Sequence, residues 1–266
     1  MKLHVVLRTC DTASLQSNRI VPKDECIFRC LNSLVTSLNN LSSMEYTFHI
    51  IDDRSTVNTV NTIRKIAPNA MLTLLGERDD SELNPKQKSR YSVKKAFDYI
   101  YSLPETDLVY VVEDDYLHYP DSIERMIEAY NYFNQYLPNV DVGIFTQDFP
   151  ELYAHPRNLH NETYFRQCFV FPGPDRYYRT TWYTHESFMI PISVMHKYRE
   201  HFDNLLLIGN EPGLWEGNTI SNVWMSPDVT MLMPMRTLAI HVSKVEDLPF
   251  YNNDFETLWE QNKISL

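Results

Sequence analysis

Three consecutive acids, Glu113, Asp114 and Asp115, close an apolar run in the segment VYVVEDDYLHYPD at 109–121. Carboxylates crowded at a strand end repel one another by several kcal/mol at low effective dielectric unless a cation or a proton intervenes. One reading is therefore a hard divalent ion, Mn2+ or Mg2+, which takes oxygen ligands and keeps positions open for diphosphate oxygens. The other is a charged turn that follows a strand and does no chemistry. A second acid pair, Asp52 and Asp53 in FHIIDDRST at 48–56, also sits between a strand-like run and a helix-like one. A carboxylate in that position accepts hydrogen bonds from a base or a ribose hydroxyl in dinucleotide folds. It equally suits the cap of the following helix, through Asp53 or Ser55.

The elements that must carry these acids are readable from hydrophobic period. Residues 3–8 and 46–53 read as strands, and 69–75 reads as a third. Between them, Ile27, Cys30, Leu31, Leu34 and Leu38 recur at helical spacing within 24–41, and 57–67 has helical spacing until Pro68. Residues 87–103 predict a further helix. The β-branched run 107–115 is apolar on both faces and belongs at the centre of a sheet, with its acids at the carboxyl edge where open α/β sheets bind ligands. A helix follows from 121, with Asp121 or Pro120 at its start and Glu124 as capping-box partner. Residues 140–146 form another strand. From about 148 to 184 the text turns to Pro, Tyr, Arg and His without period, which predicts long loops over a site rather than more sheet. After it come a short strand at 187–191, a helix at 193–203, a helix entered near 216, and a strand at 237–243 that closes the sheet. Strands alternating with helices predict an α/β fold, a mixed, mostly parallel sheet flanked by helices.

With LHVVLRTCD at 3–11, the two acid segments, in this order, resemble the nucleotide-binding half of the GT-A (Rossmann-like) glycosyltransferases, family 2 in particular. IDDRST is similar to that family's Asp-Asp-x-Ser turn, and VEDD to its DxD motif. The match covers about 120 residues in the expected order. The resemblance implies a single domain over 1–266, with 1–120 as nucleotide-binding half and 121–266 as acceptor and catalytic half. It implies that Thr9 and Asp11 line a nucleotide pocket, that Asp53 meets base or ribose, that Asp114 touches ribose, and that Glu113 and Asp115 serve the cation. With EDD in place of a plain DxD, which of the three acids coordinates directly stays open, and Arg54 stands where the family often has Gly. A late acid serves as catalytic base in inverting members. Here LWEGNTISNVW offers Glu216, without the usual Glu-Asp pair and with Glu211 as competitor. His241 in TLAIHVS is either an extra cation ligand or a satisfied core histidine. In RYYRTTWYTHESF, at 176–188, Trp182 and His185 stand where similar enzymes meet donor sugar and acceptor, although core packing and surface charge account for most of that segment.

Composition narrows the field. The chain has 266 residues, 43% of them apolar, enough to bury a large core. With 35 acidic against 24 basic side chains, its net charge of −11 is opposite in sign to the basic face that nucleic acids require, and no nucleic-acid partner is expected. Cys10, Cys26, Cys30 and Cys168 show no zinc-site spacing, and Cys26 and Cys30, four apart, read as two small buried hydrophobes. A reducing, cytoplasmic setting is expected. MKLHVVL runs straight into a strand with no signal-like apolar stretch, and no run reaches the roughly 18 apolar residues of a membrane span. The leading function is transfer of a sugar from a nucleoside-diphosphate donor to a carbohydrate or other hydroxyl acceptor, with inversion. The alternatives are a nucleotidyltransferase, against which the missing Gly-rich loop counts, and a non-catalytic nucleotide- or sugar-binding module.

Overall fold

The computed structural model describes residues 1–12, 21–77, 79, 83–148, 168–242 and 254–264. In chain order its elements begin with β1 (Leu3–Thr9), α1 (Lys23–Asn39), β2 (Tyr46–Asp52), α2 (Val57–Ile66), β3 (Met71–Leu74), α3 (Pro85–Ile100) and β4 (Leu108–Glu113). The hairpin strand β5 (Tyr116–His118), α4 (Ser122–Tyr136), β6 (Asp141–Phe145), β7 (Val170–Pro172), β8 (Tyr177–Thr181) and β9 (Phe188–Pro191) follow. The chain continues through α5 (Ile192–Lys197), α6 (Arg199–Leu205), a 3-10 turn (Glu216–Asn218), α7 (Ser221–Trp224), β10 (Val229–Met235), β11 (Ala239–His241) and α8 (Phe255–Gln261).

Nine strands form one sheet in the order β3-β2-β1-β4-β9-β6-β10-β8-β7, in which β8 and β9 run against the other seven. The sheet is mixed and mostly parallel, as the alternation of strand and helix predicts. Side chains alternate across it. Leu3, Val5 and Leu7 of β1 meet Ile27, Leu31 and Leu34 of α1 on one face, while Val6 joins Val109, Val111, Phe97 and Phe202 on the other. Each such fully buried side chain contributes about 1.5–3 kcal/mol, which fixes the register of the central strands. Register then decides where the acids go: Thr9 lies opposite Asp52 and Arg8 opposite Glu113, so β1, β2 and β4 deliver their terminal polar residues to one edge. Because β9 is reversed, it starts at that edge, just after Glu186 and Ser187.

Several expectations are corrected. Part of 148–184 is sheet: β7 and β8 form a hairpin whose β8 pairs with β10, and β10 itself had no strand expectation; residues 149–167 lie outside the described part. Tyr177, Arg179 and Thr181 supply no apolar face, and the hairpin is held by its pairing with β10 and by Tyr178 and Phe171, which pack against Phe133 in the core. The strand at 239–241 does not close the main sheet but pairs with β5 as a separate two-stranded ribbon. The helix expected at 193–203 is two, α5 and α6, parted at Tyr198. Asp121 does begin α4, but Glu124 closes no capping box; it reaches back to accept the amides of Ser42 at 2.7 Å and Ser43 at 3.3 Å. The capping box is on α3, where Asn84 and Gln87 exchange bonds of 3.0 and 2.7 Å and start that helix earlier than expected. Cys26 and Cys30 are both buried with sulfurs 4.0 Å apart, unbridged. No helix among the described residues is long and apolar enough to cross a membrane.

Candidate functional site

The carboxyl edge of β1, β2 and β4 is laced by short bonds between neighbouring strand ends. Thr9 Oγ1 donates to Asp52 Oδ2 at 2.8 Å, the Asp53 amide donates to the Thr9 carbonyl at 2.8 Å, and the Cys10 thiol meets the Asp53 carbonyl at 3.0 Å. Asp52 also accepts the Ser55 amide at 3.0 Å. Burial nonetheless pushes its carboxyl above the usual range, against the Ser55 and Thr9 bonds that hold it down. Asp53 is buried, with its carboxylate 3.1 Å from Arg54 Nε. The cap of α2 is neither Asp53 nor Ser55 but Thr56, whose hydroxyl accepts the Thr59 amide at 3.3 Å. Asp11 completes that turn by accepting the Thr56 amide at 3.0 Å and its hydroxyl at 2.7 Å. Asp114, from the end of β4, accepts the Cys10 amide at 3.0 Å and an ion pair from Lys23.

The other two acids of the triplet face the opposite way along the same edge. Asp115 Oδ1 lies 3.4 Å from His241 Nε2, and the pairing of β5 with β11 holds the two together, since the Val242 amide bonds the Asp115 carbonyl at 2.7 Å. Two donors about 3 Å apart can share one ion whose bonds are about 2.1 Å. Among the described residues no three His, Cys, Asp or Glu side chains form a ready-made cage. Glu113 is engaged elsewhere, 3.3 Å from Arg8 Nη2. Burial first, then the neighbouring charges of Glu186 and Asp115, push its carboxyl up to about 7 against the pull of Arg8 and His241.

A buried ion network then leads away from the edge. Arg8 Nη2 donates to Glu186 Oε2 at 2.5 Å, Arg90 from α3 grips the other oxygen of Glu186, and Arg90 Nη2 reaches Glu216 Oε1 at 3.8 Å. Burial works against ionised Glu186, but Arg90 and Arg8 outweigh it and hold its carboxyl below the usual range. Glu216 therefore opens a short 3-10 turn and not a helix, and the positive charge beside it is that of Arg90 in place of a helix dipole. Glu211 is exposed. His185 and His241 have ring centroids 5.3 Å apart, so His185 joins the Asp115 side, whereas Trp182 connects to it through Tyr183, 5.7 Å away.

Thr9, Asp53, Glu113, Asp114, Asp115, His185 and His241 thus converge on one sheet edge, Glu216 is tied to it through arginines, and Asp11 is spent on the α2 turn. Sequence reading passed over Lys23, Arg8, Arg90, Glu186 as a network member, and Trp215. Lys23 carried a signal: a cation in the first turn of a helix opposes the dipole and calls for an acidic partner. The arginines carried none, because their partners are distant in sequence.

A mostly parallel sheet whose carboxyl edge gathers acids, broken beside its central strand by the reversed β9, is the GT-A, Rossmann-like fold. Two of the solved structures that the chain resembles carry the comparison. S. aureus TarS superposes with TM-score 0.51 at 12% identity, over 98% of this chain and 39% of that one. A putative glucose-1-phosphate thymidylyltransferase from Bacillus anthracis, in complex with a sucrose, superposes with TM-score 0.50 at 10% identity, over 99% of this chain and 97% of that one. The chain spans about two fifths of the TarS chain, and at these identities the likeness is one of fold. No family model matches the chain, and no curated protein does.

Proposed function

We propose that the chain is a single-domain, family 2-like glycosyltransferase that moves a sugar from a nucleoside-diphosphate donor to a hydroxyl acceptor with inversion. The observation that carries the reading is the convergence of Asp53, Asp114, Asp115 and His241 on one sheet edge, with Glu216 linked to it through Arg90 and Glu186. In this reading residues 1–120 hold the nucleotide and 121–266 the acceptor. Thr9 and Asp11 shape the nucleotide wall, Asp53 accepts from base or ribose, and Asp114 meets ribose. Asp115 and His241 would hold Mn2+ or Mg2+, and Glu113 stands behind them in its pair with Arg8. When bound, the cation would neutralise charge on the departing diphosphate. Glu216 accepts the proton from the acceptor hydroxyl as the new glycosidic bond forms and the bond from the anomeric carbon to the diphosphate breaks. Arg90 keeps the Glu216 carboxylate directed, and Trp182 and His185 flank the sugars.

Nucleotidyl transfer is the second reading, favoured by the superposition along nearly the whole thymidylyltransferase chain and by Lys23 beside Asp114. Against it, the sequence has no glycine before Gly76, so the loop after β1 lacks the Gly-rich character such enzymes use. One experiment separates the readings. The protein is screened by thermal shift against UDP-, GDP-, CMP- and dTDP-sugars with and without Mn2+, because a ligand of the native state raises apparent stability. Products are then assayed with acceptors and with sugar 1-phosphates plus nucleoside triphosphates. A metal-dependent shift with release of nucleoside diphosphate supports glycosyl transfer; pyrophosphate release from triphosphate supports nucleotidyl transfer. Binding with no turnover would leave a sugar-nucleotide binding module.

A further inference from the structure

Trp215 precedes Glu216 and is 42% exposed, whereas Trp224 and Trp259 are 5% and 8% exposed. An isolated exposed aromatic needs no explanation. This one is held in place from three directions. Its backbone is extended, its amide donates to Asn218 Oδ1 at 2.9 Å, and its carbonyl accepts the Thr219 hydroxyl at 3.1 Å. Its ring lies on Gly217: a Cβ on that glycine would come within 2.1 Å of Cη2 and 2.4 Å of both Cζ2 and Cζ3. Nearly equal distances to three adjacent ring atoms put that position over the face of the ring, since approach from the edge would leave the flanking atoms much farther away. One indole face therefore rests on the glycine backbone, while the residue stays 42% exposed.

Behind Trp215 stands a row of rings. Trp215 and Tyr183 are 5.9 Å apart, Tyr183 and His185 5.3 Å, His185 and His241 5.3 Å, and His241 and Tyr116 5.0 Å. The row runs from the exposed indole to His241 beside Asp115, and Glu216, 27% exposed at its side chain, flanks the outer end. A flat, rigid apolar face next to a carboxylate matches a molecule with a patch of C–H bonds on one side and hydroxyls at its rim. That is a sugar ring.

We propose that Trp215 is a stacking platform for a carbohydrate acceptor, seated by Gly217, so that the hydroxyl presented to Glu216 belongs to a sugar. This rests on the reading of Glu216 as general base, and the test separates the two. Trp215→Ala, Trp215→Phe and Gly217→Ala, each checked for fold by circular dichroism and melting, are titrated by tryptophan fluorescence with methyl glucosides, methyl galactosides, N-acetylglucosamine and cello-oligosaccharides, and in parallel with uridine and UDP. Transfer kinetics are run with the same saccharides. Saccharide half-saturation should rise about tenfold in Trp215→Ala, recover largely in Trp215→Phe, and rise again in Gly217→Ala, where the indole is intact but displaced; the loss should fall on acceptor KM and not on kcat. A wild-type protein that titrates with no saccharide, a Trp215→Ala protein that takes saccharides like the wild type, or a Trp215 signal given by uridine and not by sugars would overturn the platform. Saccharide binding through Trp215 without turnover of any donor would support the platform and remove the transferase reading. Turnover with an unaltered acceptor KM in Trp215→Ala would do the reverse.

Discussion

The two sides of the candidate site are held by different means. On the proposed nucleotide side, Thr9, Asp52, Asp114 and Asp11 are fixed by bonds between neighbouring parallel strand ends and the turns that follow them, most of them to backbone groups or hydroxyls. On the acceptor side, Glu186 and Glu216 are held by arginines 178, 96 and, for Arg90 and Glu216, still over a hundred positions away in sequence. Strand register tolerates the loss of any one bond because the core sets it. A buried charge network does not, because each member removed leaves another charge unpaired. The acceptor side should therefore be both the more sensitive and the more specific half.

The largest effect is expected at Glu216. Glu216→Gln keeps size and loses the base, so the turnover number should fall about 10²- to 10⁴-fold while donor binding, read by thermal shift, persists. A turnover number that does not move would put the base elsewhere and leave Glu216 only its tie to Arg90. Next comes stability. Glu186→Gln makes Arg8 and Arg90 face a neutral amide, and breaking such a buried pair should cost about 3–5 kcal/mol in urea unfolding. Its counterpart across the site, Asp11→Ala, removes an accessible acceptor from the α2 turn and should cost about 1 kcal/mol. Equal costs for the two would erase the contrast.

The same contrast explains what the sequence disclosed. The parallel half was legible because VYVV is apolar on both faces, YTFHII alternates, and acids come directly after both, so that period, length and position agree. The resemblance read from those segments led to the fold that the sheet now has. The β7–β8 hairpin was not legible: a single buried apolar residue, Tyr178, between exposed Tyr177 and charged Arg179 gives no recognisable period, and the strand depends on the edge that β10 offers it. Nor was the separation of β11 from the main sheet, since AIH has the composition of any short strand and only its pairing with β5 differs. Arg8 and Arg90 lay inside a strand and a helix where an arginine reads as surface charge. No local signal distinguishes a guanidinium that will meet a carboxylate half a chain away.

A different effect concerns acid. His118, in the ribbon that carries Asp115, is buried with Nε2 accepting from the Tyr110 hydroxyl at 2.8 Å and Nδ1–H donating to the Tyr116 carbonyl at 2.9 Å. Burial pushes its imidazole down from 6.5 to about 3. Below its ordinary value the unfolded chain takes up a proton that the folded chain refuses. The contribution of neutral His118 is thus complete above pH 6.5 and is lost as pH falls toward about 3. At about 1.4 kcal/mol per pH unit this amounts to a few kcal/mol at the acid end. Carboxylates titrate in the lower part of that window, so the readout is a difference: the urea midpoint of His118→Gln should fall less steeply with acid than that of the wild type. Parallel slopes would mean that the ribbon opens before His118 is protonated, and that the Asp115–His241 ribbon is less firmly held than its pairing implies.

The smallest effect tests whether charge also matters on the nucleotide side. Arg54 has φ of 61°, the left-handed region, and it is the one place in the Asp52–Thr56 turn where glycine would fit the backbone better. Arg54→Gly removes roughly 1–2 kcal/mol of backbone cost but adds freedom to the unfolded chain worth about 0.4–1 kcal/mol and deletes a partly exposed ion pair to Asp53 worth at most about 1 kcal/mol. The terms nearly cancel, with a net change within about 1 kcal/mol and a melting shift of no more than about 4 °C. If the register of β1 and β2 is what holds Asp53, nucleotide affinity should follow stability and change little. A large loss of both would show that Asp53 depends on its arginine as Glu186 does, and the two sides of the site would then obey one rule.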